Sequence, residues 1–215
     1  MPFEDQLLED ADHDMASLVK TDVVGAFIEA IDRTFLGYEP TSPFADSVSG
    51  NTPGAHSIPY GTGVDLVSDL SEAISTVEAH GFEVTGMVSH PRLKHLLRDL
   101  RDSQNRPIYT ENLGDCNPRL RYCVWGIPIC FTRQAAAQAS PAGYEILMAY
   151  WPYVFVGDRT GLQVAISNEA TLTSGSLDNV NLFEQDMTAY RFVIRKAFTI
   201  KDDNALAKVT GVPIA

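Results

Sequence analysis

Residues Asp12–Leu36, DHDMASLVKTDVVGAFIEAIDRTFL, place Met15, Leu18, Val19, Val23, Ala26, Phe27, Ala30, Ile31 and Phe35 three or four positions apart. That period sets them on one stripe of a helix and predicts a single amphipathic helix with a buried apolar face. Asp10 or Asp12 is placed to cap its start, and the carboxylates between Glu4 and Asp14 lie where the positive end of the helix dipole falls. Gly37 follows the last apolar residue as a stop signal. At 1.5 Å per residue the helix would be about 37 Å long. A compact chain of this size has a radius of gyration of only about 17 Å.

The other long periodic stretch is Met187–Ile200, MTAYRFVIRKAFTI. Tyr190, Phe192, Ile194, Phe198 and Ile200 fall on one side of a period-two pattern, and Arg191, Arg195 and Thr199 on the other. An extended strand of this length would reach about 45 Å, where five or six residues is usual. A long helix and a long strand together predict an elongated domain with large flanks, suited to packing against copies of itself.

Between these lie the pieces of a mixed α/β layer. Tyr38–Gly63 carries Pro40, Pro43, Pro53 and Pro59 among glycines and serines and reads as a long loop or a crossing between subdomains. Val64–His80 reads as a helix, Val84–Ser89 as a short buried strand, and Pro91–Leu100 as a helix with proline at its first position. Asp102–Pro118 is polar and turn-rich. Leu120–Val124 and Ile127–Thr132 read as two strands about Trp125-Gly126, followed by a small-residue loop, Ala135–Gly143. Tyr144–Val156 is apolar and aromatic, and Pro152 makes it an edge strand or splits it. Asp158-Arg159-Thr160-Gly161 reads as a turn, and Leu162, Val164 and Ile166 then alternate as in a half-buried strand.

The 215 residues include 45% hydrophobic side chains, enough for a real core, and contain no run of about 18 apolar residues that would span a membrane. The acidic N-terminus MPFEDQLLED has neither the basic nor the apolar region of a signal peptide. A net charge of -12 argues against a nucleic-acid-binding surface. Cys116, Cys123 and Cys130 are odd in number and sparse, fitting free buried thiols in a reducing compartment, and their spacing of seven matches no zinc pattern. His90 and His95, five apart, do not share a helix face well enough for a metal pair. The sequence has no G-x-S-x-G elbow, H-E-x-x-H, P-loop or C-x-x-C. Arg191 and Arg195 could hold an anion, or a neighbour's carboxylates. Residue chemistry alone thus predicts no enzyme, no cofactor and no metal. An α/β enzyme built around His90 and His95 is the alternative from another class.

Several stretches resemble tailed-bacteriophage major capsid proteins of the Hong Kong 97 type. GDRTGLQVAIS (157–167) and NLFEQDMTAYRFVIRKAFTIKDDNALAKVTG (181–211) are similar to the family's C-terminal part, with Asp158, Arg159 and Gly161 at its turn, Asn181–Met187 leading into its long strand, Arg195 within that strand, and Asp202–Ala205 after it. The segment from Pro2 to Pro43 is similar to the run containing the family's spine helix. LLRDLRDSQNRPIY (96–109) and Gly126-Ile127-Pro128 resemble the family's middle. The resemblance implies an α+β, Hong Kong 97-like fold. It divides the chain into a peripheral domain of spine helix and long strands, 1–50 with 150–200, and an α/β axial domain, 51–149 with 201–215. It implies a virion coat subunit that assembles in the host cytoplasm as pentamers and hexamers into an icosahedral shell around double-stranded DNA. Its partners would be copies of itself, with portal, scaffolding or decoration proteins, and no membrane. An encapsulin-like nanocompartment shell is the alternative within the same fold. Family members carry an arm and an extended loop ahead of the spine helix, whereas this chain begins almost at that helix, either as a fragment or as a subunit that assembles without them. Members that cross-link themselves use an asparagine and a glutamate where this chain has Asp186 and Val193, so no self-cross-linking is expected.

Overall fold

The computed structural model describes residues 2–4, 15–38, 44–63, 65–99, 104, 123–135, 138–139, 142–174 and 177–213. In chain order the elements are β1 (Pro2–Glu4), α1 (Met15–Leu36), α2 (Val48–Asn51), β2 (Ser57–Pro59), α3 (Leu66–Glu78), β3 (Gly86–Ser89), α4 (Leu93–Asp99), β4 (Cys123–Val124), β5 (Ile127–Phe131), β6 (Gln138–Ala139), β7 (Ala142–Ala149), β8 (Val154–Ser167), β9 (Thr171–Ser174), β10 (Leu177–Asn181), β11 (Met187–Ile200) and β12 (Leu206–Val212). They form two compact units, residues 1–28 with 156–197, and residues 29–155 with 198–215.

The second unit is built on a seven-stranded sheet of order β2-β12-β7-β3-β5-β4, with β6 paired to β7. Its central strand β7 reads AGYEILMA, an almost unbroken apolar run of the kind a strand buried on both faces requires. Alternation sends Tyr144, Ile146 and Met148 into one cluster, where Leu70, Ala73, Ile74 and Val77 of α3 and Leu93 and Leu97 of α4 cover them. Leu147 and Ala149 point the other way, into a second cluster with Leu36, Val48, Ala135 and Leu206. Antiparallel β12 flanks β7, with Lys208 opposite Leu147 and Val209 opposite Ile146. On its other side β7 pairs antiparallel to β3, which runs parallel to β5.

Local chemistry explains the helix ends. Gly37 adopts a φ of 93°, a value that costs glycine nothing. Its N–H bonds the carbonyl of Thr34 at 3.2 Å while that of Tyr38 reaches Arg33 at 3.0 Å, a paired closure that uses the last free carbonyls of α1. Asp65 caps α3 by accepting the N–H of Ser68 at 2.9 Å. Asp69, fully buried in α3, accepts the N–H groups of Gly61 and Gly63 at 2.8 and 2.7 Å and ties the preceding loop to the helix.

Several sequence expectations change. Helix α1 runs from Met15, and the caps at Asp10 and Asp12 lie outside the described residues. Among its described side chains the stripe is not a buried core: Val19, Val23, Phe27, Ile31 and Phe35 are half-buried, Ala26 and Ala30 are exposed, and Leu36 is the one buried apolar residue, while the side chains of Met15 and Leu18 lie outside the described residues. Amphipathic spacing fixes which face is apolar, not whether the same chain covers it. Within Tyr38–Gly63, expected to be a loop, Ser47 caps the short helix α2 and Ser57–Pro59 adds a parallel strand to β12. The small-residue loop contains β6 and the start of β7. Pro152 splits the aromatic run, as one of the two options required, but β7 is a central strand and not an edge. Asp158–Gly161 is no turn. It lies inside the continuous strand β8, where pairing with β11 overrides local turn preference. The turn-rich segment Asp102–Pro118 falls almost wholly outside the described residues. The two described cysteines are not buried free thiols: Cys130 is free but exposed, and Cys123 is disulfide-bonded, while Cys116 lies outside the described residues.

Leu70 is 1% exposed and sits beneath the sheet. Leu70→Ala should lower unfolding free energy by about 2–5 kcal/mol, measured by chemical denaturation; a loss under about 1 kcal/mol would show that α3 does not seal this core.

Candidate self-assembly surface

In the first unit, β11 lies between β1 and β8. Its 14 residues match the predicted span, Met187–Ile200. A Cβ built on Gly157 would stand 4.0 Å from that of Ala197, Asp158 is ion-paired with Lys196, and Lys201 N–H bonds the carbonyl of Tyr153 at 3.0 Å. These contacts fix an antiparallel register for β8 and β11. Continued by two residues, that register sets Arg159 opposite Arg195 on one face of the ribbon, with Arg191 further along it. All three arginines are exposed, and among the described residues none has an ion-pair or hydrogen-bond partner. Like charges directly opposite each other in a sheet destabilise it by roughly 0.2–1 kcal/mol, so the ribbon holds a cost that an external counter-charge would remove.

The other face of β8 carries Val156, Leu162, Val164 and Ile166. The sequence predicts Leu162, Val164 and Ile166 as half-buried, yet all three are exposed, Ile166 at 61%, and Val156 beside them is 60% exposed. The alternation is real, but none of the described residues covers it. Phe155, Phe183 and, on α1, Val24 and Ile28 are also exposed. A ribbon this long and apolar is a poor end state for an isolated chain, since exposed strands present both apolar surface and unpaired backbone.

The second unit holds a buried polar network that sequence reading missed. Glu145 of β7 is 3% exposed. Its carboxylate accepts hydrogen bonds from Ser49 Oγ at 2.7 Å and the Tyr38 hydroxyl at 3.2 Å, and faces Lys208 Nζ at 3.4 Å. Lys208 also donates to the Ser49 carbonyl at 2.9 Å. Burial, then the neighbouring carboxylate, pushes the Tyr38 phenol well above its ordinary value, so it stays protonated and donates. With these donors satisfied, the network ties α2 and the chain after α1 to the sheet. Its signal in the sequence is a lone Glu inside an apolar run.

The histidines predicted not to form a metal pair take separate places. His90 stacks on Tyr144 with ring centroids 4.3 Å apart, and His95 lies exposed on α4. Among the described residues there is no group of three or more His, Cys, Asp or Glu placed to hold a metal, and no helix long and apolar enough to cross a membrane.

Comparison with known proteins decides the family. The profile described as "Phage capsid family" matches residues 1–211. The chain belongs to the phage capsid family. The major capsid protein of Staphylococcus phage 80alpha is 22% identical over 196 residues, a match covering 89% of this chain and 56% of that protein, so the chain spans just over half the length of this curated relative. A structure from Microbacterium phage Oxtober96 superposes with a TM-score of 0.78 at 26% identity, over 98% of this chain and 70% of the other. The holo-SrpI encapsulin complex of Synechococcus elongatus shares the fold, with a TM-score of 0.70 at 13% identity over 100% of this chain and 72% of its own. The fold is thus the Hong Kong 97-like α+β fold that this capsid family has in common with encapsulins.

Two tests follow from the buried groups. Glu145→Gln strands the Lys208 charge and should cost about 3–5 kcal/mol. Adding Lys208→Met should recover part of that loss, and a double variant as unstable as the sum of the singles would dissolve the network. His90 is held below its ordinary 6.5 by burial and then by Arg92. The unfolded chain therefore takes up a proton where the folded chain does not, and stability is lost as the pH falls below 6.5. His90→Gln should flatten the decline in melting temperature between pH 7 and pH 5; an unchanged slope would assign it to other groups.

Proposed function

We propose that this chain is a structural coat subunit: a major capsid protein that self-assembles as pentamers and hexamers into an icosahedral shell around the double-stranded DNA of a tailed phage. The observation that carries this is the β8–β11 ribbon, whose apolar residues are left uncovered by the described residues, in a protein of the capsid family. Copies packed side by side bury that surface, and neighbouring carboxylates neutralise Arg159, Arg191 and Arg195. An acid excess of 28 over 16 basic residues makes such carboxylates plentiful. It also keeps the shell wall from gripping packaged DNA.

In this reading the ribbon and spine helix form the peripheral part of each subunit and the seven-stranded sheet the axial part. Portal, scaffolding and decoration proteins are the further partners, and assembly takes place in the host cytoplasm before the subunit becomes part of the virion. The subunit is not an enzyme, and Asp186 and Val193 leave it without a self-cross-linking pair. The likeness to an encapsulin supports a second reading, a nanocompartment shell with protein cargo.

Electron microscopy of the native assembly, with intact mass on the same sample, tests this. Closed icosahedral shells are expected, containing double-stranded DNA and lacking covalent multimers on a denaturing gel. Shells filled with protein cargo would establish the nanocompartment reading, and a protein that stays monomeric at high concentration would overturn both.

A further inference from the structure

The second unit carries a groove of about 510 Å³, lined by Ser71, Ile74, Ser75 and Glu78 of α3, Glu83 and Val84 ahead of β3, and Trp125 and Ile127 of the β4–β5 hairpin. Trp125 and Gly126 form the hairpin turn with φ of 51° and 79°. Both values are positive, as a two-residue turn matched to strand twist requires. The turn presents the indole outward, and it is 55% exposed. Glu78 and Glu83 are also exposed, and among the described residues neither carboxylate has a partner. An accessible indole beside two carboxylates is a receptor for a cationic side chain: the ring face attracts a guanidinium or ammonium, and the carboxylates accept its N–H groups.

The same unit offers such cations elsewhere. In α4, Leu93 and Leu97 face the core, while Arg92 just ahead of the helix and His95 and Arg98 within it recur every third position and are exposed, with Asp99 the carboxylate at its end. The two surfaces lie at opposite ends of the same parallel strands. The groove is at the start of β3 and β5. Helix α4 follows the end of β3, and Lys94 lies over the ring of Phe131 at the end of β5. A patch that complements a different patch of the same chain makes a heterologous, head-to-tail contact, and repetition of such a contact gives a ring when the rotation between neighbours closes.

We propose that the Trp125 groove receives the basic face of α4 from a second copy of this chain, joining neighbours around each pentamer and hexamer. The inference rests on the shell-forming reading above and adds to it the surfaces that meet. Arg92 and Arg98 enter between Glu78, Glu83 and Trp125, and the indole loses its contact with water. Because the groove and the basic helix face are both used once per subunit, every copy in a ring is equivalent and no patch is left over.

The test is a charge swap in the full-length protein. Glu78→Lys with Glu83→Lys, and separately Arg92→Glu with Arg98→Glu, should each abolish rings and shells in sedimentation velocity and electron microscopy, while circular dichroism shows a folded subunit. The quadruple variant combining all four changes should regain assembly. With Trp151→Phe leaving Trp125 the sole tryptophan, emission should shift to the blue on assembly and iodide quenching should fall at least twofold. If one double variant fails to fold, Trp125→Ala replaces it and should slow assembly at least tenfold. Assembly of either folded double variant at the wild-type rate, a folded quadruple variant that stays dissociated, or a Trp125 equally quenched in shells and free subunits would overturn the proposal while wild-type shells still form. A wild-type protein that never forms shells would instead remove the reading on which it rests.

Discussion

The second unit depends on one strand being dry on both sides. β7 can occupy the middle of the sheet only because Tyr144, Ile146 and Met148 meet one apolar layer and Leu147 and Ala149 another. That constraint selects the neighbours. α3 and α4 must bring apolar stripes to one face, and the end of α1 with α2 must close the other. Glu145 is the exception within the strand, and it fixes what the second face must contain. A carboxylate there demands donors, and Ser49, Tyr38 and Lys208 supply them. The polar network therefore specifies where the segment after α1 docks, while the apolar residues around it give the burial.

The parts of this architecture legible in the sequence are those where one period runs unbroken. The alternation of β11 over 14 residues and the apolar spacing of α3 each specify an element regardless of context. The family resemblance, drawn from the order of the tail motifs and the spine segment, carried the fold. What was illegible depends on partners distant in the chain. Asp158-Arg159-Thr160-Gly161 has turn chemistry, but Lys196 and Ala197 hold it extended. Ser57–Pro59, set among prolines and glycines, becomes a strand only because β12 offers it an edge. Glu145 and Lys208, 63 positions apart by their numbers, cannot be recognised as a pair until β7 and β12 are known to be neighbours.

The assembly surfaces show a different kind of limit. Leu162, Val164 and Ile166 have the spacing of a buried face, and Met15–Leu36 that of a core helix. Periodicity reports that a surface is apolar and is silent on what covers it. In a protein that works alone, the cover comes from the same chain. The capsid family is one in which that rule need not hold, and the exposed side of β8 is the place where it fails here. The arginines of the ribbon show the same in electrostatic terms: in a chain of net charge -12, three cations on one face have no carboxylate partner among the described residues.

The position of β12 in the sheet sets a clock on synthesis. This strand, made of residues Leu206–Val212, lies between β2 and β7, so two strands completed much earlier wait for it on either side. Until it leaves the ribosome, β7 lacks one neighbour, Glu145 lacks Lys208, and the second apolar cluster lacks Leu206. Closing loops of that length is entropically slow. The sheet therefore completes only after Val212 has been translated, and a chain not yet synthesised that far has no finished unit to offer another. That delay places association after folding in time.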